Sequence, residues 1–156
     1  MGLDMYLIGK RFLWFDEFEL QNKLNKVLGS PLPPTTEDQW GQPHVQLVEL
    51  QLGYWRKANA IHQWFVENVQ SGEDDCREYN VSIEQLQKLK EVCQLVLADH
   101  SKARDLLPTQ EGFFFGGTDY DEWYFQDLEY TVKIIDFIEQ SIVPLKKYDL
   151  YYQSSW

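Results

Sequence analysis

Three times between Tyr54 and Val143, apolar residues recur every three or four positions, and a helix breaker closes each run. That spacing lines one face of a 3.6-residue helix, so it commits most of the apolar side chains to helix packing. The first stripe is Tyr54, Ala58, Ile61, Phe65 and Val69, ended by Ser71-Gly72. The second is Ile83, Leu86, Leu89, Val92, Cys93, Val96 and Leu97. It opens on Ser82-Ile83-Glu84-Gln85, a capping box in which Gln85 can return a bond to the Ser82 backbone, and Leu107-Pro108 closes it. The third runs from about Tyr120 to Val143, with Leu128, Val132, Ile135, Ile138 and Ile142 behind Trp123 or Tyr124. Thr118 or Asp119 caps it and Pro144 stops it.

The remaining segments are shorter. Leu3 to Arg11 alternates loosely and reads as a strand, and His44 to Leu50 reads as a second short strand feeding a helix near Gly53. Apolar spacing also predicts a short helix from about Asp16 to Leu28, ended by Gly29. Residues 30–43 hold four prolines and Gly41, which makes them an irregular connection. Residues 148–156 form an aromatic C-terminal tail, expected to dock on a neighbouring surface. The expected fold is α+β and predominantly helical, three long helices packed with a small N-terminal β-sheet, in a single domain over residues 1–156.

Charge narrows the function classes. A formal net charge of −11 opposes direct nucleic-acid binding, which needs clustered Lys and Arg, and opposes anionic membrane surfaces. It suits a basic protein partner, or simply solubility. The apolar run Met5–Ile8 is too short for a signal peptide or a membrane span, so a reducing cytoplasm is expected, with Cys76 and Cys93 as small buried hydrophobes.

Catalytic signatures are scarce. The chain has no phosphate-binding glycine loop, no Gly-x-Ser-x-Gly elbow and no His-Glu-x-x-His helix. Cys93 and His100 stand seven apart with no further ligand at metal-binding spacing, so neither metal nor cofactor is expected. Only composition supports a Cys76–His62 nucleophile pair. The chain reads as a binding protein rather than an enzyme.

Two clusters are candidates for binding. In the expected helix from Gly53 to Phe65, Trp55, Asn59 and His62 fall at i, i+4 and i+7, with Arg56 and Lys57 beside the first turn. Arginine can grip a phosphate through two hydrogen bonds, an indole can stack on a base, and an amide can bond a base edge. The competing reading places Trp55 and Trp64 in the core, lets His62 and Asn59 satisfy buried backbone or the acidic turn at residues 71–75, and pairs Arg56 with Glu73, Asp74 or Asp75. The second cluster, Thr118 to Asp127, contains Asp119, Tyr120, Asp121, Glu122 and Trp123. It offers an acidic, aromatic face to a basic partner, or else it is a helix start whose acids complement the helix dipole.

Three blocks carry a resemblance: Met1-Gly2-Leu3-Asp4-Met5-Tyr6-Leu7, the stretch Gly53-Tyr54-Trp55-Arg56-Lys57-Ala58-Asn59-Ala60-Ile61-His62-Gln63-Trp64-Phe65-Val66, and Leu107-Pro108-Thr109-Gln110-Glu111-Gly112-Phe113-Phe114-Phe115-Gly116. Together they resemble a group of small bacteriophage and prophage proteins. The likeness covers Leu47 to Ile138 and the first seven residues, leaves out Arg11 to Gln46, and supplies no catalytic residues. It implies a phage accessory protein acting in the host bacterial cytoplasm, with counter-defence as the expected role. One route is sequestration of a nucleotide immune signal by Trp55, Arg56, Asn59, His62, Tyr120 and Trp123, in a homo-oligomer. The other is direct inhibition of a bacterial defence protein through Asp119, Asp121 and Glu122.

Overall fold

Strand β1 (Asp4–Phe12) alternates as read, sending Met5 and Leu7 into the core while Asp4 and Tyr6 stay partly exposed. The computed structural model describes residues 2–14, 16–34, 43–141 and 145–156. After β1 come α1 (Phe18–Leu28), β2 (Leu47–Arg56), α2 (Asn59–Asn68), β3 (Tyr79–Asn80) and α3 (Ile83–Ala98). A 3-10 turn (His100–Lys102), α4 (Ala103–Leu106), α5 (Glu122–Gln140) and β4 (Asp149–Ser155) complete the order.

The expectation of three long helices with a small N-terminal sheet is corrected. Among the described residues there are five α-helices and a four-stranded antiparallel sheet in the order β2-β1-β4-β3, within an α+β architecture. Two causes account for the difference. First, the stripe beginning at Tyr54 is not helical at its start. Strand β2 runs on through Tyr54, Trp55 and Arg56, with Gly53 and Trp55 facing inward, and α2 begins only at Asn59. Lys57, at φ 62°, makes the turn between them. Second, the aromatic tail is a strand. Leu150, Tyr152 and Ser154 point into the core, and β4 pairs with β3 in the register Tyr79↔Tyr152, Asn80↔Tyr151.

Packing divides the chain into two compact units. One takes β1 as far as Gly9 together with Gln51–Trp156, and the other is Lys10–Leu50, so β1 and β2 contribute to both. In the larger unit, α3 lies along α5, their most extensive helix contact, and Leu86, Leu89, Cys93 and Val96 meet a core that includes Leu128, Ile135 and Ile138. The Tyr152 ring stacks on Phe65 with centroids 3.9 Å apart. In the smaller unit, Leu13 N–H donates to the Gln46 carbonyl at 2.9 Å, and Gly29 ends α1 in the left-handed conformation that glycine adopts without strain. Gln21 and Asn25 occupy the buried side of α1, while Val27 and Leu28 face solvent.

The cap of α3 forms as read: Ser82 Oγ accepts from Gln85 N–H, and the Gln85 side chain accepts from Ser82 N–H. Helix α5 is shorter than expected and is capped by Asp121, not by Thr118 or Asp119. Residues 30–34 and Pro43 have no regular structure, as read for the proline-rich connection, whose remainder (35–42) lies outside the described residues with Ile142, Val143 and Pro144. His44, Val45 and Gln46, expected to open the second strand, also lack it, since β2 starts only at Leu47. Among the described residues no helix is long and apolar enough to cross a membrane.

Candidate functional site

The end of β2, the segment 109–121 and the first turns of α5 enclose a cleft of about 350 Å³ within the larger unit. Asn59, the first residue of α2, holds the segment in place. Its Nδ2 donates to the carbonyls of Phe115 (3.1 Å) and Gly117 (2.8 Å), and its Oδ1 accepts from Gln110 N–H (3.0 Å). All three hydrogen-bonding functions of the amide are thus engaged inside the protein. Gly116, at φ 92°, lets the segment approach the Lys57 turn closely, since a Cβ there would sit 3.1 Å from Lys57 Cβ.

The cleft lining carries charges of both signs, Arg56 and Lys57 from the end of β2 and the turn after it, and Asp119, Asp121 and Asp127 from the segment before α5 and from α5 itself. Among the described residues the two sets form no ion pair with each other; Arg56 instead has its nearest carboxylate at Asp4, 3.9 Å away. Asp121 Oδ1 accepts from Tyr124 N–H as the cap of α5. Asp127 carries no side-chain hydrogen bond among the described residues, and burial, followed by the neighbouring Asp121, pushes its carboxyl up to about 6. In its ionised form it acts only as an acceptor. Trp123, 73% exposed, adds an uncovered indole to the lining.

The structure separates the residues grouped by sequence spacing. Trp55 is only 2% exposed, and its Nε1–H donates to Thr131 Oγ1 at 2.9 Å, because a strand side chain pointing inward cannot share the face of a helix that begins four residues later. His62 is fully buried between Asp74 and Tyr152. Asp74 can only accept, so the proton on this ring sits on Nε2 (3.1 Å to Asp74 Oδ2), and Nδ1 accepts the Tyr152 hydroxyl at 2.7 Å. Trp156 Nε1–H completes the chain of bonds at Asp74 Oδ1, 3.0 Å away. Burial outweighs Asp74 and keeps the imidazole pKa below its ordinary value. Tyr120 lies outside the cleft lining, its hydroxyl accepting from Thr109 N–H at 3.3 Å.

Of the six residues expected to hold a nucleotide, Arg56, Asn59 and Trp123 line the cleft, and Asn59 does so as a structural clip. Of the three acids expected to face a protein, Asp119 and Asp121 line it, while Glu122 is exposed and accepts from Gln126 Nε2 at 3.1 Å. Asp127 was the residue to find by spacing: it follows Trp123 by four positions, which stacks the two side chains on one helical face. Of the partners of His62, Asp74 belongs to the acidic turn that the competing reading offered it, whereas Tyr152, 90 residues away, had no such signal.

Other groups with reactive potential are engaged elsewhere. Cys93 is fully buried, its thiol pushed up to about 12 by desolvation, whereas Cys76, expected to be buried, is only partly so and sits at φ 61°. The acidic turn near residue 74 pairs with Arg77, which reaches Asp75 and Glu73, rather than with Arg56. Among the described residues no three His, Cys, Asp or Glu side chains converge on a metal site.

No known protein family, no curated protein and no solved structure matches the chain.

Proposed function

We propose that the chain is a non-enzymatic counter-defence protein of phage origin that sequesters a nucleotide-derived immune signal in the bacterial cytoplasm. The observation that carries this reading is the shared lining of one cleft by Arg56, Lys57 and the exposed indole of Trp123. The two cations suit a phosphate and the indole suits a base, an arrangement in which charge-assisted bonds and stacking act together. The cleft volume lies at the lower end of the range for small-molecule sites, in keeping with one nucleotide unit. Retention rather than turnover is favoured because the buried imidazole has both nitrogens engaged away from the cleft. A second copy of the chain over the cleft mouth would complete the enclosure, giving the homo-oligomer expected of a sponge.

The test is equilibrium dialysis of the purified protein against cyclic nucleotides and ADP-ribose derivatives. Uptake of a ligand that is released intact on heating, weakened at least tenfold by Arg56→Ala with Lys57→Ala, is the expected result. No uptake of any of these compounds at micromolar concentrations would overturn the reading.

A second reading has its own support. Asp119, Asp121, Glu122 and Trp123 are all exposed at the start of α5, where an acidic and aromatic surface can meet a basic defence protein. Such a complex would weaken steeply between low and high salt and on reversal of the three acidic charges. A complex insensitive to both would exclude this surface.

A further inference from the structure

We infer that the cleft selects guanine over the other nucleobases, an inference that rests on the sequestration reading. With a phosphate at Arg56 and Lys57 and a base on Trp123, the carboxylates that also line the cleft still need partners. Asp127 lies one helical turn beyond Trp123 on α5, so its side chain shares a helix face with the indole. A base resting on the indole brings its edge to this carboxylate.

An ionised carboxylate presents two acceptor oxygens and no donor. Guanine alone among the common bases offers two adjacent donors, N1–H and the N2 amino group, in the parallel arrangement that matches those oxygens. Adenine sets its N6 donor beside the N1 acceptor, and cytosine sets its N4 donor beside the N3 acceptor, so each turns a lone pair toward the carboxylate. Uracil flanks its one imino donor with two carbonyls. A mismatched edge would leave Asp127 facing an acceptor in a partly desolvated site, which disfavours binding beyond the simple loss of a bond. Asp121 has one oxygen committed to the cap of α5, which leaves Asp127 as the better-placed partner.

The experiment is a set of titrations followed by quenching of tryptophan fluorescence, using the 5′-monophosphates of guanosine, inosine, adenosine and cytidine. Guanosine monophosphate should bind tenfold to a hundredfold more tightly than the adenosine and cytidine compounds, the usual discrimination of a bidentate base contact. Inosine monophosphate, which keeps N1–H and lacks the amino group, should fall between. Asp127→Asn, shown by circular dichroism to be folded, should erase the preference for guanine while the protein still binds nucleotide. Should Asp127→Asn fail to fold, inosine's place between guanosine and adenosine in the wild type stands as the deciding readout. Equal or tighter binding of adenosine monophosphate, or an unchanged guanine preference in folded Asp127→Asn, would overturn the inference while leaving sequestration standing. Binding of none of the four, together with the failed dialysis described above, would overturn both.

Discussion

Asp127 illustrates how one side chain can be unfavourable for folding and useful for binding. Its carboxyl sits near 6 instead of the ordinary 3.8 because it is drawn out of water beside Asp121. The folded state therefore holds this proton more tightly than the unfolded chain does. The resulting stabilisation is complete below about pH 4, declines as pH rises through 6, and is absent above it. Asp127→Asn removes the penalty of the ionised form, so it should stabilise the protein at pH 8 by about 1 kcal/mol after allowance for solvent screening. Thermal melts at pH 8 and pH 4 would check this, with a rise of about 2–4 °C at the higher pH and none at the lower. A gain of the same size at both would show that ionisation is not the cause. His62 obeys the opposite sign. Its depressed value makes protonation costly in the fold, so its contribution is present above the unfolded histidine value and lost as pH falls below it. Sequence alone placed Arg56 and Trp123 in a binding role and both line the cleft; for His62 it left open a ligand contact or a partner in the acidic turn, and the ring is bonded to Asp74 of that turn and to Tyr152 of a distant strand.

At the scale of elements, signals confined to a few residues were legible and those requiring a distant partner were not. The Ser82 capping box and the Gly29 stop are local chemistry, and both appear where the sequence sets them. The cap lends itself to a direct measurement: Ser82→Ala should cost about 1 kcal/mol in a denaturant titration, since it leaves Gln85 N–H without its partner. A change below a few tenths would mean that solvent replaces the hydroxyl at no loss. Residues Tyr54 to Ala58 show the other case. Tyr54, Ala58 and Ile61 happen to fit a helical period, but pairing in the sheet overrides that preference and keeps β2 extended through Arg56. The glycine that suggested a helix start is instead required by packing. A Cβ at Gly53 would lie 2.9 Å from Ile134 Cδ1 and 3.0 Å from the Trp55 ring. The segment Tyr151-Tyr152-Gln153-Ser154-Ser155 gave no strand signal because its inward positions mix Tyr with Ser rather than repeating apolar residues.

For the molecule as a whole, an α+β architecture was foreseen, but the helices were overestimated and the sheet underestimated, because its strands come from widely separated parts of the chain. Deleting residues 149–156 removes an interior strand together with Tyr152 and the Asp74 contact of Trp156. The shortened protein should lose cooperative unfolding and show the broad, featureless near-ultraviolet spectrum of a loosely packed chain. A sharp thermal transition would show that the rest of the sheet closes without β4. The same arrangement bears on how the protein is made. Strand β1 is synthesised well before β4, one of its two sheet neighbours, which follows roughly 140 residues later, so the loop to be closed between them is long. Until then the emerging polypeptide carries an open sheet edge next to unburied aromatic side chains, and its encounter with chaperones falls in that interval.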